Sequence, residues 1–238
     1  MSIPGLEQWL ASPQGRYVTA WELNRLDLAV SDVFGFNALQ LGLPECDFLR
    51  ANRIPLRQKA GESGAVDVLC DLTALPFSSH STDLVVLPHM LEFHADPHQI
   101  LREVERILIP EGQVIILGFN PHSLWGLRRR FGQDRGFPWQ GSYLGLQRLK
   151  DWLKLLGFEV DRGVFGCYVP PLRQEKWLQR WRFIERAGGR WWSLGGGIYL
   201  LRAIKRVHGM RLITPNWRTR PTRAKALRPV AQKELHLD

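Results

Sequence analysis

The sequence predicts an α/β fold whose mostly parallel sheet is covered on both faces. Two observations carry this. Short continuous apolar runs, Val66 to Cys70, Asp83 to Leu87 and Val114 to Phe119, lack the alternation of a half-exposed strand. Between the second and third runs, Ile100 to Leu108 places apolar residues at 100, 101, 104, 107 and 108, a helical spacing. Pro110, Glu111 and Gly112 then end the helix and turn the chain into the next strand. In sheets of this kind ligands lie beyond the carboxyl ends of the strands. That edge would hold Asp71 and the turn Leu87-Pro88-His89.

The elements follow in order. Residues 16–34 carry apolar side chains at 18, 21, 23, 26, 28, 30 and 33 and predict a helix ahead of the sheet. Ala38 to Gly42 reads as the first strand, Cys46 to Asn52 as a short helix and Ile54 to Gln58 as a second strand. After the run ending at Phe119, a short helix opens at Pro121 or Ser123, and residues 132–143 read as a loop. Leu146 to Leu156 is helical, with Leu149, Trp152, Leu153 and Leu156 on one face and Gly157 suited to its end. Phe158 to Val169 is a strand, Gln174 to Ala187 a basic, Trp-bearing helix, and Ile198 to Ala203 the last strand.

Composition sets the broad class. The 238 residues, 45% hydrophobic and 23% charged, suffice for one sizeable core. Apolar runs are too short to span a bilayer, and the first residues lack a signal peptide's basic start and apolar centre, so a cytoplasmic protein is expected. Cys46, Cys70 and Cys167 are far apart and odd in number, fitting neither a disulfide framework nor a zinc site, and no metal is expected. The net charge of +9 is uneven: residues 202–238 hold ten Lys or Arg and two acids, leaving residues 1–201 at +1. Three prolines past Gly209 with scattered arginines predict a basic tail at 209–238 without a packed core.

The linked elements resemble a known family. Asp71, Leu75-Pro76-Phe77, Thr82-Asp83, Leu91-Glu92, Asp96-Pro97, Leu101-Arg102-Glu103, Arg106-Ile107-Leu108, Pro110 and Gly112 together resemble the central signature of class I S-adenosylmethionine-dependent methyltransferases, most closely the type 11 group. Leu153 to Val160 is similar to that family's last helix entering strand six, and Gly197 to Arg206 to its closing antiparallel strand. The resemblance implies a Rossmann-like three-layer sandwich, its sheet mostly parallel with an antiparallel last strand. The expected organisation is a helical cap at 1–35, a methyltransferase-like domain at 36–208 with an insertion at 166–192, and the tail.

The resemblance also implies site residues. S-adenosylmethionine is the expected cofactor, held through Gly42, Glu45, Asp71, Leu72 and Pro88. Asp71 would accept the adenine amino group beside the Leu72 amide; alternatively it closes a turn after its strand. The loop after strand one departs from the family pattern. Gln40 stands where an acid is usual, Pro44 and Cys46 stand where glycines are usual, and Gly42 alone is retained. Glu62 is the nearest acid for the ribose but reads more readily as a solvated loop residue. His89 is the candidate catalytic base, with a backbone-bonded turn histidine as the alternative. Glu92, Phe119, Asn120 and Trp125 are substrate-pocket candidates. The alternating Trp and Arg of 124–130 and 176–182 suit a lid or anion site, or amphipathic helices with tryptophan packed inward.

Three functions follow as expectations: methyl transfer from S-adenosylmethionine to an unidentified small or macromolecular acceptor, a non-catalytic methyltransferase-like module, and nucleic-acid binding through residues 209–238. Methyl transfer from a sulfonium needs alignment and exclusion of water more than a strong acid or metal, so the absence of a metal motif is compatible with the first.

Overall fold

The computed structural model describes residues 5–132, 136–171, 180, 185 and 195–207. The helices are α1 (Leu6–Ala11), α2 (Pro13–Val30), α3 (Met90–Phe93), α4 (Pro97–Ile107), α5 (Leu124–Phe131) and α6 (Leu146–Leu155). The strands are β1 (Asn37–Leu41), β2 (Leu56–Gly61), β3 (Val68–Leu69), β4 (Thr82–Pro88), β5 (Leu108–Phe119), β6 (Phe158–Gly166) and β7 (Ile198–Lys205). They form one sheet in the order β3-β2-β1-β4-β5-β7-β6. Pairs from β3 to β5 are parallel, and β7 runs antiparallel to both β5 and β6. This is the Rossmann-like arrangement expected, with β7 inserted antiparallel between β5 and β6.

Strand alternation builds two cores. Leu84 and Val86 of β4 with Ile115, Leu117 and Phe119 of β5 face α1, α2 and the turn after β1. Val85 and Leu87 with Val114 and Ile116 face Ile100, Leu101, Val104 and Ile107 of α4 and Leu149 and Leu153 of α6. Strands buried on both faces explain the unbroken apolar runs of the sequence.

The helix starts are capped locally. Ser12 Oγ accepts from the Gly15 amide at 3.1 Å, with Pro13 in the first turn of α2. A Cβ on Gly15 would lie 2.0 Å from the Trp9 carbonyl oxygen, so glycine lets α1 fold back on α2. Asp96 and Ser123 cap α4 and α5 by accepting from Gln99 and Gly126.

Several boundaries depart from the sequence reading. Cys46 to Asn52 forms turns and no helix, because side chains capture its backbone: Gln40 Oε1 accepts from the Phe48 amide at 3.0 Å and Asp47 Oδ1 from the Leu49 amide at 3.1 Å. β2 runs to Gly61, three residues beyond the expected end, and the leading helix stops at Val30, four residues short. The Pro110 turn persists as a bulge inside β5: Thr82 pairs with Leu108 and Leu84 already with Gln113. β6 ends at Gly166, where Cys167 takes a φ of +58°. The expected helix at 174–187 lies outside the described residues except for Arg180 and Glu185.

Candidate active site

The carboxyl edge of β1, β2 and β3 gathers the first group of candidates. Gly42 follows β1 directly with a φ of +82°, a conformation that glycine adopts without strain. Glu62 follows β2 directly, so extension of that strand puts it at the sheet edge. Asp71 stands two residues past β3. Ligand atoms of Glu62, Asp71 and His94 lie within 4.8 Å of one another, with Glu62 Oε1 at 3.3 Å from His94 Nε2. Glu62, Leu69, Cys70 and Asp71 line an open cleft of about 390 Å³.

Asp71 does close a turn: its Oδ1 accepts from the Thr73 amide at 2.7 Å and from the Thr73 hydroxyl at 2.6 Å. Those bonds hold its carboxyl below the usual range. Its second oxygen carries no hydrogen bond among the described residues, which leaves it able to accept a ligand amine. The Leu72 side chain is buried in the core, and Glu45 is exposed on the turn after β1.

The turn after β1 is organised by Gln40. Its buried amide donates to the carbonyls of Gly42, Leu43 and Cys46 at 3.1, 2.9 and 2.9 Å. Met90 packs over Gly42, its sulfur 2.1 Å from where a Cβ would stand. Pro44 packs on Gly64 and its carbonyl accepts from Lys59 Nζ at 3.1 Å. The proline bend thus leans on the loop after β2.

The second group lies where β4 and β5 end. Pro88 closes β4, and His89 takes a φ of +56°. His89 is 2% exposed, with Nε2 at 2.6 Å from Glu22 Oε1 and Nδ1 at 3.0 Å from Glu92 Oε2. Burial by itself would lower the imidazole pKa; the two carboxylates, Glu22 foremost, outweigh it and raise it to about 10. Both ring nitrogens are held by carboxylates, so neither is open to a substrate in this arrangement. Glu92, raised above the usual carboxyl range by burial, also accepts the Phe119 amide at 2.5 Å through Oε1. One histidine and two acids therefore fasten α2, the β4 tip and the β5 tip together.

Aromatic rings surround this triad. Phe119 stacks on Tyr143 at 5.0 Å and lies 4.4 Å from the His89 ring, with Trp125 at 6.2 Å. Trp9 and Phe137 pack edge-on to Phe119. Trp125 is fully buried and donates to the Val169 carbonyl at 3.0 Å, so the tryptophan of α5 points inward as one sequence reading held. Asn120 is spent on structure: its amide nitrogen donates to the Gly196 carbonyl at 2.9 Å and its oxygen accepts from the His122 amide at 3.0 Å.

The structure brings Gly42 and Asp71 to one end of the strand edge and His89, Glu92, Phe119 and Trp125 to the other. Sequence reasoning passed over Glu22 and Tyr143. Glu22 had a signal: Val18, Glu22, Leu26 and Val30 recur every four residues, so the acid sits on the buried stripe of α2 and needs a partner. Tyr143 lies in a loop and had none.

Comparison with known proteins agrees with this fold. Residues 45–116 match the family model described as a methyltransferase domain. Over those residues the chain is similar to a methyltransferase domain. The uncharacterized protein YafS of Escherichia coli (strain K12) is 34% identical over 155 residues, spanning 64% of this chain and 65% of YafS, just under two thirds of that relative. The demethylmenaquinone methyltransferase of Chlamydia pneumoniae is 31% identical over 75 residues, 32% of this chain and 33% of that enzyme. A solved S-adenosylmethionine-dependent methyltransferase from Thermotoga maritima superposes with a TM-score of 0.64 at 17% identity, covering 84% of this chain and 94% of that one. At that identity the likeness is one of fold.

For S-adenosylmethionine the residues present fit at the nucleoside end, where Asp71 and Glu62 supply acceptors past the tips of adjacent strands. At the amino-acid end the fit depends on the Met90 side chain, an unbranched and adaptable group, moving off Gly42.

Proposed function

We propose that this chain transfers a methyl group from S-adenosylmethionine to an acceptor held on the Phe119 side of the sheet edge. The observation that carries this is the convergence of Glu62 and Asp71 on one cleft past the ends of β2 and β3. In this reading Asp71 and the Leu72 amide meet the adenine, Glu62 the ribose hydroxyls, and Gly42 and Pro88 border the amino-acid part. The cofactor supplies a methyl carbon activated by its sulfonium. The protein aligns the acceptor and excludes water, which the buried aromatic wall favours. His89 acts as a positioning residue: its charge and both hydrogen bonds hold the tips of β4 and β5 in register. A nucleophile that must lose a proton passes it to solvent or to another group. Isothermal titration with S-adenosylhomocysteine tests the reading; a folded protein that takes up none at millimolar ligand excludes it.

A second reading, a methyltransferase-like module without cofactor, draws on the Gln40-tied turn and on Met90 over Gly42. Met90→Ala separates the two. Uptake of S-adenosylhomocysteine by wild type, unchanged or tightened in the variant, supports the enzyme; absence from both supports the module.

A further inference from the structure

Around Phe119, three buried hydrogen-bond donors have no acceptor among the described residues: the Tyr143 hydroxyl, Arg129 Nε and Trp9 Nε1. Two of them belong to adjoining side chains. The Arg129 guanidinium lies over the Tyr143 ring, 5.0 Å from its centre, and that ring stacks on Phe119. Buried donors in native proteins nearly always have a partner, so a pair left without one calls for a ligand or an ordered water. The acceptor nearest in charge terms is Glu92, whose field acts on the Tyr143 hydroxyl. Both Glu92 oxygens are already engaged, one by His89 and one by the Phe119 amide. What is missing is an oxygen acceptor, and an arginine beside a hydroxyl selects an anionic one.

We propose that Arg129 and Tyr143 form an anion subsite beside Phe119, and that the methyl acceptor, or the molecule carrying it, bears a carboxylate or phosphate. The proposal rests on the methyltransferase reading for the word acceptor; the subsite itself rests on the unpaired donors. The flanking rings of Phe119, Trp9 and Phe137 favour an acceptor whose anionic group is attached to an apolar body. α5 is built to deliver the arginine. Trp125 anchors its inner face while Arg128 and Arg129 turn back over Trp139 and Tyr143.

Benzoate, with benzamide as its neutral isostere, is the probe, titrated into the full chain with and without saturating S-adenosylhomocysteine. Binding is followed by calorimetry and by the indole N–H signals of the tryptophans. Benzoate is expected to bind at least tenfold more tightly than benzamide. Arg129→Gln, which keeps the packing stem, is expected to erase that preference, and Tyr143→Phe to reduce it about threefold. Equal binding of the two probes to wild type, or a preference that survives Arg129→Gln, overturns the proposal. S-adenosylhomocysteine titrated into the same samples keeps the two ideas apart. An Arg129-dependent preference without cofactor uptake supports the subsite and removes the methyltransferase reading. Cofactor uptake with equal probe binding does the reverse.

Discussion

Gln40 sits at the end of β1, fully buried, with its amide nitrogen turned to three carbonyls. A carboxylate there would face those same oxygens. Gln40→Glu, which restores the family's residue type, is therefore expected to destabilise the fold by about 3 kcal/mol, as a buried charge among acceptors does. Urea denaturation measures it, and an unshifted midpoint refutes the account. Asp71 is the opposite case, exposed and with one oxygen uncommitted. Asp71→Asn keeps the shape but turns an acceptor toward donor character, and S-adenosylhomocysteine should bind about tenfold more weakly. An unchanged Kd would leave Asp71 with its turn alone. Both residues were visible in the sequence, yet their environments were not. The exchange of acid for amide read as a loss, and only the folded turn shows the three carbonyls that require it.

At the scale of elements, α2 is joined to the β4 and β5 tips through Glu22, His89 and Glu92. Removing one acid leaves the imidazolium half-paired in a dry site. Glu22→Ala should cost about 3 kcal/mol, and Glu92→Ala at least as much because the Phe119 amide loses its acceptor too. Because the two act on one ring, their effects should fall short of additive in a double-mutant cycle. Strictly additive losses in chemical denaturation would show that the triad is not a unit. Helices and strands themselves were legible where period and length agreed, as in α4, α6 and β4. The segment 46–52 was misread because Asp47 and Gln40 draw its amides away from a helical ladder.

For the whole molecule, the triad sets a pH dependence. His89 has a folded pKa of about 10 against an unfolded value near 6.5, so its contribution is fully present below about pH 6.5 and is lost as pH rises to about 10. Glu92, also raised, pushes the same way, since its folded form holds its proton more tightly. Cys46, shifted by burial to about 11, and the buried tyrosines add to the loss at the alkaline end. Thermal unfolding between pH 6.5 and 10 should therefore show a falling midpoint, with a shallower fall in His89→Gln; parallel curves for the two proteins would exclude the assignment. Among the described residues no helix is long and apolar enough to cross a membrane. The basic segment 209–238 lies outside them. If it binds nucleic acid, as its charge suggests, affinity must drop steeply with salt and vanish on its deletion; a truncated chain that binds RNA as well as the full one removes that role.

The sequence by itself determined the α/β alternation, the doubly covered parallel strands and the resemblance to methyltransferases. Those are properties of local period and of linked motifs within about fifty residues. Only the tertiary structure decided how the site is wired. Glu22 meets His89 across 67 positions, and Arg129 covers Tyr143 from a separate helix. Pairings of that kind depend on loop paths and on which residues the sheet register brings level, and no pattern along the chain encodes them.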